Sequence, residues 1–178
     1  MSDSTIIASI IGALVALVVS YINNRNSKKG EERLAHRKTI EKKYGMIGSL
    51  LYQVVAKSNT IIEKYSDGNE TKEDKNKATK LTQTLDTYRL LSRYCLWGID
   101  EGFRAIIRLP SYASRCNKRI DLGKQLIDDA TKLRESLDDA IMDSYLRGDI
   151  PTPKHVNIVK ERVKQLKNIY SAIDSPKQ

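Results

Sequence analysis

The chain has 178 residues and a mass of 20.2 kDa, room for one domain of ordinary size beside a short accessory segment. Its formal net charge is +9, and 30% of its residues are charged, so a basic surface facing anionic membrane or nucleic acid is expected. The only histidines are His36 and His155, and the two cysteines, Cys95 and Cys116, form no CxxC or other metal-type spacing, which argues against a metal site or a bound cofactor and for two reduced thiols.

The N-terminal run Thr5 to Ile22, TIIASIIGALVALVVSYI, carries no charge. As a helix it spans roughly 27 Å, close to a hydrocarbon core of roughly 30 Å, so residues 1–22 read as a membrane anchor. A cleaved signal peptide needs positive charge before its apolar stretch; here the positive charges follow it. The positive-inside rule then places the N-terminus outside and the rest of this single-pass chain in the cytoplasm. Ala8, Gly12, Ala16 and Ser20 recur every four residues and share one helix face. Small side chains let membrane helices approach closely, so this face is expected to make an oligomer contact, although such residues are common in membrane helices generally.

Residues 23–39 read as a charged stalk helix. From Asn23 to Lys43 there are eight Lys and Arg against three Glu, a net +5. Residues 40–178 read as a cytoplasmic helical bundle. Ile40, Tyr44, Ile47, Leu51, Val54 or Val55, Ile61 or Ile62 and Tyr65 have helical spacing, with Gly45 and Gly48 as weak points. The polar stretch 66–77, SDGNETKEDKNK, reads as a loop around the turn signal Asp67-Gly68-Asn69. A second helix is predicted from Ala78 through Leu81, Leu85, Tyr88, Ser92 and Cys95, bent at Gly98 and Gly102 before Phe103, Ile106 and Ile107, and ended by Leu109-Pro110-Ser111. A third runs from Ile120 to Tyr145 and stops at Arg147-Gly148-Asp149. After a short rigid linker, Asp149 to Pro153, a last helix carries Val156, Val159, Val163, Leu166, Tyr170 and Ile173. Nothing alternates with period two for long enough to form a sheet. The fold class is therefore all-α, a four- or five-helix bundle behind a transmembrane helix.

No phosphate-cradling glycine loop, HExxH or GxSxG occurs. Asp128-Asp129 and Asp138-Asp139 read as solvated helix surface, with Asp128 and Lys132 as a weak ion pair at i and i+4. The stretch 103–119, FRAIIRLPSYASRCNKR, is more pointed. It holds Arg104, Arg108, Arg115, Lys118 and Arg119 around Tyr112 without an acidic residue. An aromatic among arginines suits stacking of a base with phosphates held beside it; anionic lipid or a protein carboxylate surface fits equally, as does a plain solvated corner. RNA-cleaving helical domains of the HEPN type set an arginine four to six residues before a histidine, the arginine holding the scissile phosphate and the histidine acting as acid or base. Arg147 and His155 approximate this pair with seven intervening residues, Pro151 and Pro153 among them, so the match is degenerate.

With these features the chain resembles the small accessory membrane proteins of type VI-B CRISPR systems, which accompany an RNA-guided, RNA-targeting effector. The likeness lies in length, the single N-terminal anchor, the basic helical domain and the divergent HEPN-like Arg147/His155 pair. It implies a non-enzymatic homo-oligomer in the bacterial inner membrane, a ring-shaped pore that strengthens antiviral defence by depolarising that membrane. The implied partners are further copies of the chain, membrane lipid and the effector, with RNA as an additional candidate. Two alternatives come from other classes: a membrane-tethered HEPN-type ribonuclease using Arg147 and His155, and an adaptor that recruits a soluble partner through the basic corner.

Overall fold

Five helices account for the regular structure of the computed structural model, which describes residues 41–69, 71–92, 96–116, 119–147 and 150–175. They are α1 over 41–66, α2 Lys72–Leu91, α3 Asp100–Ala113, α4 Ile120–Arg147 and α5 Pro153–Asp174, and no strand occurs among the described residues. The predicted anchor and the whole of the predicted stalk lie outside the described residues, as do Lys118, Cys95 and Gly148. Among the described residues no helix is long and apolar enough to cross a membrane.

Residues from Lys43 onward form one unit with a continuous core. Ile47, Leu51, Val54 and Ile61 of α1, Leu85 of α2, Phe103, Ile106 and Leu109 of α3, and Leu126, Leu133 and Leu137 of α4 are each inaccessible to solvent, and Val159, Val163 and Leu166 of α5 are nearly so. These are the apolar positions of the 3.6-residue pattern, and their burial is what holds short helices together.

The helices alternate in direction. Tyr44 meets Tyr145 edge-on, with centroids 6.0 Å apart, so the start of α1 lies beside the end of α4. At the opposite end, a Cβ on Gly123 would lie 2.9 Å from Ile62. Asp74 in the first turn of α2 accepts from Lys57 and Lys64 of α1, running α2 back along α1. α3 returns parallel to α5: Gly98 lies against Val156, and Tyr112 against Tyr170.

Three boundaries differ from expectation. The stretch 66–77 is only partly a loop. Gly68 ends α1 at φ +71, with the Asn69 N–H bonded to the Lys64 carbonyl and the Gly68 N–H to that of Tyr65, a Schellman closure. α2 then starts at Lys72, because Asp74 is buried between two lysines and Glu73 pairs with Lys77, so the charges there order a helix. The predicted second helix divides in two at the turn of residues 96–99, where Gly98 takes φ +91, whereas Gly102 stays helical and gives Leu137 and Val159 room to approach. Finally, Pro110 does not end α3. Its ring is buried, and both the N–H and hydroxyl of Ser114 return to its carbonyl, at 3.0 and 2.8 Å, carrying the helix to Ala113.

The predicted Asp128–Lys132 pair is also replaced: Lys132 reaches Asp129 instead, at 3.5 Å. Asp138 is not simply solvated surface. Arg134 holds it at 2.8 Å, and desolvation pushes its carboxyl above the ordinary value despite that partner. Cys116 is a buried free thiol, and burial pushes its pKa up, away from the reactive thiolate.

Candidate functional site

Two places bring the sequence's candidate residues together. The first is the junction of α4 and α5. Asp143 and Arg147 are four residues apart and share a face in the last turns of α4. Thr152 is extended (φ −62, ψ 153), and Pro153 opens α5 at a position where the missing N–H costs nothing. This geometry aims the Thr152 N–H at Asp143, whose Oδ2 accepts it at 2.8 Å. The Thr152 hydroxyl lies 2.8 Å from His155 Nδ1, which is itself 3.5 Å from Asp143 Oδ2. Arg147 Nη1 lies 3.8 Å from the same oxygen.

The degenerate Arg147/His155 pair is thus brought together, with a carboxylate between its members. Asp143 is the residue the sequence reading missed. The signal for it was modest: an acid one turn before Arg147, followed by Thr-Pro at a helix start. The Thr152 N–H, then the nearby His155 and Arg147, hold the Asp143 carboxyl below its ordinary value against desolvation. Chemically the arrangement orients the imidazole through Nδ1 and leaves Nε2 without a partner among the described residues. The guanidinium, however, already has an anion beside it. A phosphate approaching Arg147 meets the Asp143 charge within a few ångströms, which disfavours the phosphate-holding role.

The second place is the basic corner, which the fold divides. Tyr112 is not presented for a base: its ring stacks on Tyr170 at 3.8 Å and 11°, the Arg115 guanidinium lies over it at 5.1 Å, and its hydroxyl donates to Asp174. Arg115 also binds Asp174 at 2.6 Å. Arg119 donates to the carbonyls of Ala172 and Ser175, at 2.7 and 2.9 Å. These groups satisfy orphan carbonyls at the end of α5 and place cations at its negative pole. Below them the Tyr170 hydroxyl, buried, donates to the Ala105 carbonyl at 2.7 Å, and its burial raises the phenol pKa far above the ordinary range.

Arg104 and Arg108 lie elsewhere, on a shallow groove between α2 and α3 of about 230 Å³, shared with Thr82, Gln83, Asp86 and Ile107. Arg104 binds Asp100 at 2.8 Å; Asp100 and Asp86 are also held by Arg89. Arg108 is exposed and, among the described residues, makes no ion pair, unlike Arg104. No group of three or more His, Cys, Asp or Glu side chains among the described residues is placed to hold a metal ion. The predicted oligomer face Ala8, Gly12, Ala16 and Ser20 lies outside the described residues.

Fold and site together define an antiparallel helical bundle with a carboxylate-bridged Arg–His pair at one end. No protein-family model, no curated protein and no solved structure matches the chain.

Proposed function

We propose that the chain is a membrane-anchored, non-enzymatic homo-oligomer of the bacterial inner membrane, with a HEPN-like cytoplasmic bundle, that acts as a ring-shaped pore in RNA-guided antiviral defence. The observation that carries this is the eighteen-residue uncharged run Thr5 to Ile22, with its face of small residues and the net +5 segment behind it. One such helix encloses no water path, so a pore requires several copies around an axis. The Asp143 carboxylate between Arg147 and His155 supports a structural use of that pair over phosphodiester cleavage.

The deciding experiment uses the full chain in membranes together with an RNA-guided, RNA-targeting effector. Activation by target RNA is expected to collapse the membrane potential, and the purified protein to be a ring with a continuous channel. Cleavage of single-stranded or structured RNA by the purified chain, lost on His155→Ala and accompanied by an unchanged membrane potential, establishes the ribonuclease instead. Recruitment of a soluble partner that is lost when Arg104, Arg108 and Arg115 are neutralised, with no change in potential, establishes the adaptor.

A further inference from the structure

The two ends of the bundle differ in surface chemistry. One end is made by the start of α1, the end of α2, the 96–99 turn, the end of α4 and the start of α5. Tyr44 on Tyr145, Gly98 against Val156, and Thr152 bonded to Asp143 join these parts. Of the large hydrophobic side chains exposed among the described residues, all but Tyr52 and Ile120 lie within about two helical turns of this end. Leu91, Trp97 and Leu146 are 69%, 64% and 71% exposed, joined by Leu90, Met142 and Ile150. Isolated exposed apolar residues are ordinary; their concentration at one end of a charged bundle is not.

The charge around them is positive on balance among the described residues, where the exposed Lys42, Lys43 and Lys154 outnumber the exposed Glu41. The carboxylates Asp86, Asp100 and Asp143 are engaged by Arg89, by Arg104 or by the Thr152 N–H. Lys43 and Lys154 extend into solvent. Aliphatic side chains, a tryptophan and exposed lysines together are the composition that settles at the headgroup and acyl boundary of an anionic bilayer. The chain also enters the bundle at this end, at Lys43, through the basic segment that follows the uncharged run Thr5 to Ile22. A membrane held by that run is therefore within tether range, and tethering raises its effective concentration at this end.

We propose that this end of the bundle docks on the anionic membrane surface, with Trp97, Leu91 and Leu146 inserted at the headgroup boundary. The inference rests on the anchor reading above, and lipid is the occupant to which it commits.

Trp97 is the only tryptophan in the sequence, so its fluorescence reports this end alone. The full chain is reconstituted in phosphatidylglycerol-containing vesicles, with or without bromine on the upper acyl carbons. The expected result is an emission shift to shorter wavelength, loss of intensity in brominated vesicles and protection from aqueous iodide. Leu91→Glu with Leu146→Glu is expected to return the emission toward that of exposed tryptophan while helicity and retention on vesicles persist. Emission that is iodide-sensitive and indifferent to bromine overturns the proposal. So does emission protected from both quenchers, which assigns this end to contact with a second copy. Alkaline washing separates the two levels: release from vesicles overturns the anchor and this docking together, whereas retention without bromine quenching overturns the docking alone.

Discussion

The carboxylate of Asp143 accepts the backbone N–H of Thr152, so an acid near the end of α4 caps the start of α5 from the neighbouring helix. The same oxygen lies 3.5 Å from His155 Nδ1 and 3.8 Å from Arg147. The first consequence concerns substitution. Asp143→Ala is expected to destabilise the α4–α5 junction more than Asp143→Asn, because the amide oxygen still accepts the Thr152 N–H. Chemical denaturation of the two variants beside the parent gives the ranking, and equal losses show that the cap is not what Asp143 supplies.

The second consequence is a pH dependence. The Asp143 carboxyl is held below its ordinary value in the folded chain, so its contribution is present above the ordinary carboxylate pKa of about 3.9 and is lost as pH falls through the lower folded value. The stability gap between parent and Asp143→Asn should therefore be full at neutral pH and shrink on acidification below about pH 4. Unfolding midpoints of both proteins across that range provide the measurement; a gap that widens in acid contradicts this assignment.

Gly98 makes a conformational prediction. Its φ of +91, with Val156 methyls 3.1 and 3.2 Å from where a Cβ would stand, leaves little room for a side chain. Gly98→Ala should cost about 1–2 kcal/mol from the backbone alone, and a larger loss reports the Val156 contact as well. The unfolding free energy from denaturant titration decides it, with no measurable loss counting against the turn geometry.

The divided basic corner predicts divided phenotypes. Arg115→Gln removes an exposed ion pair with Asp174 and should cost no more than about 1 kcal/mol. Tyr170→Phe, which removes a buried donor from the Ala105 carbonyl, should cost about 0.5–1.5 kcal/mol. Neither is expected to change binding of an anionic partner, whereas Arg108→Gln is expected to weaken it by altering the α2–α3 groove. A loss of RNA or polyphosphate binding in Tyr112→Leu with the fold intact restores the base-stacking role that the Tyr170 contact argues against.

In the anchor, Gly12→Leu is expected to weaken self-association, since a bulky side chain separates helices that meet through small residues. An unchanged oligomer size in detergent transfers assembly to the bundle.

The helical class and the core faces were legible in the residues themselves. Ile47, Leu51, Leu85, Phe103, Leu133, Val163 and Leu166 recur at helical spacing and are all buried, because periodic burial is a local pattern that a single sequence displays. Gly68 likewise marked a helix end through its own backbone chemistry. What stayed hidden depended on partners far along the chain. Asp74 turned a charged stretch into a helix because Lys57 and Lys64 stand opposite it. Tyr112 lost its apparent freedom to Tyr170 and Asp174, and burial carried α3 through Pro110.

The sequence alone determined an all-α chain with an uncharged, membrane-length run before a basic segment, since length, charge and period are properties of consecutive residues. Only the tertiary structure decided that Arg147 and His155 share Asp143, that the basic corner is two surfaces, and that exposed apolar residues gather at one end. Those facts depend on which helix ends meet, and antiparallel packing sets that across separations no local pattern encodes.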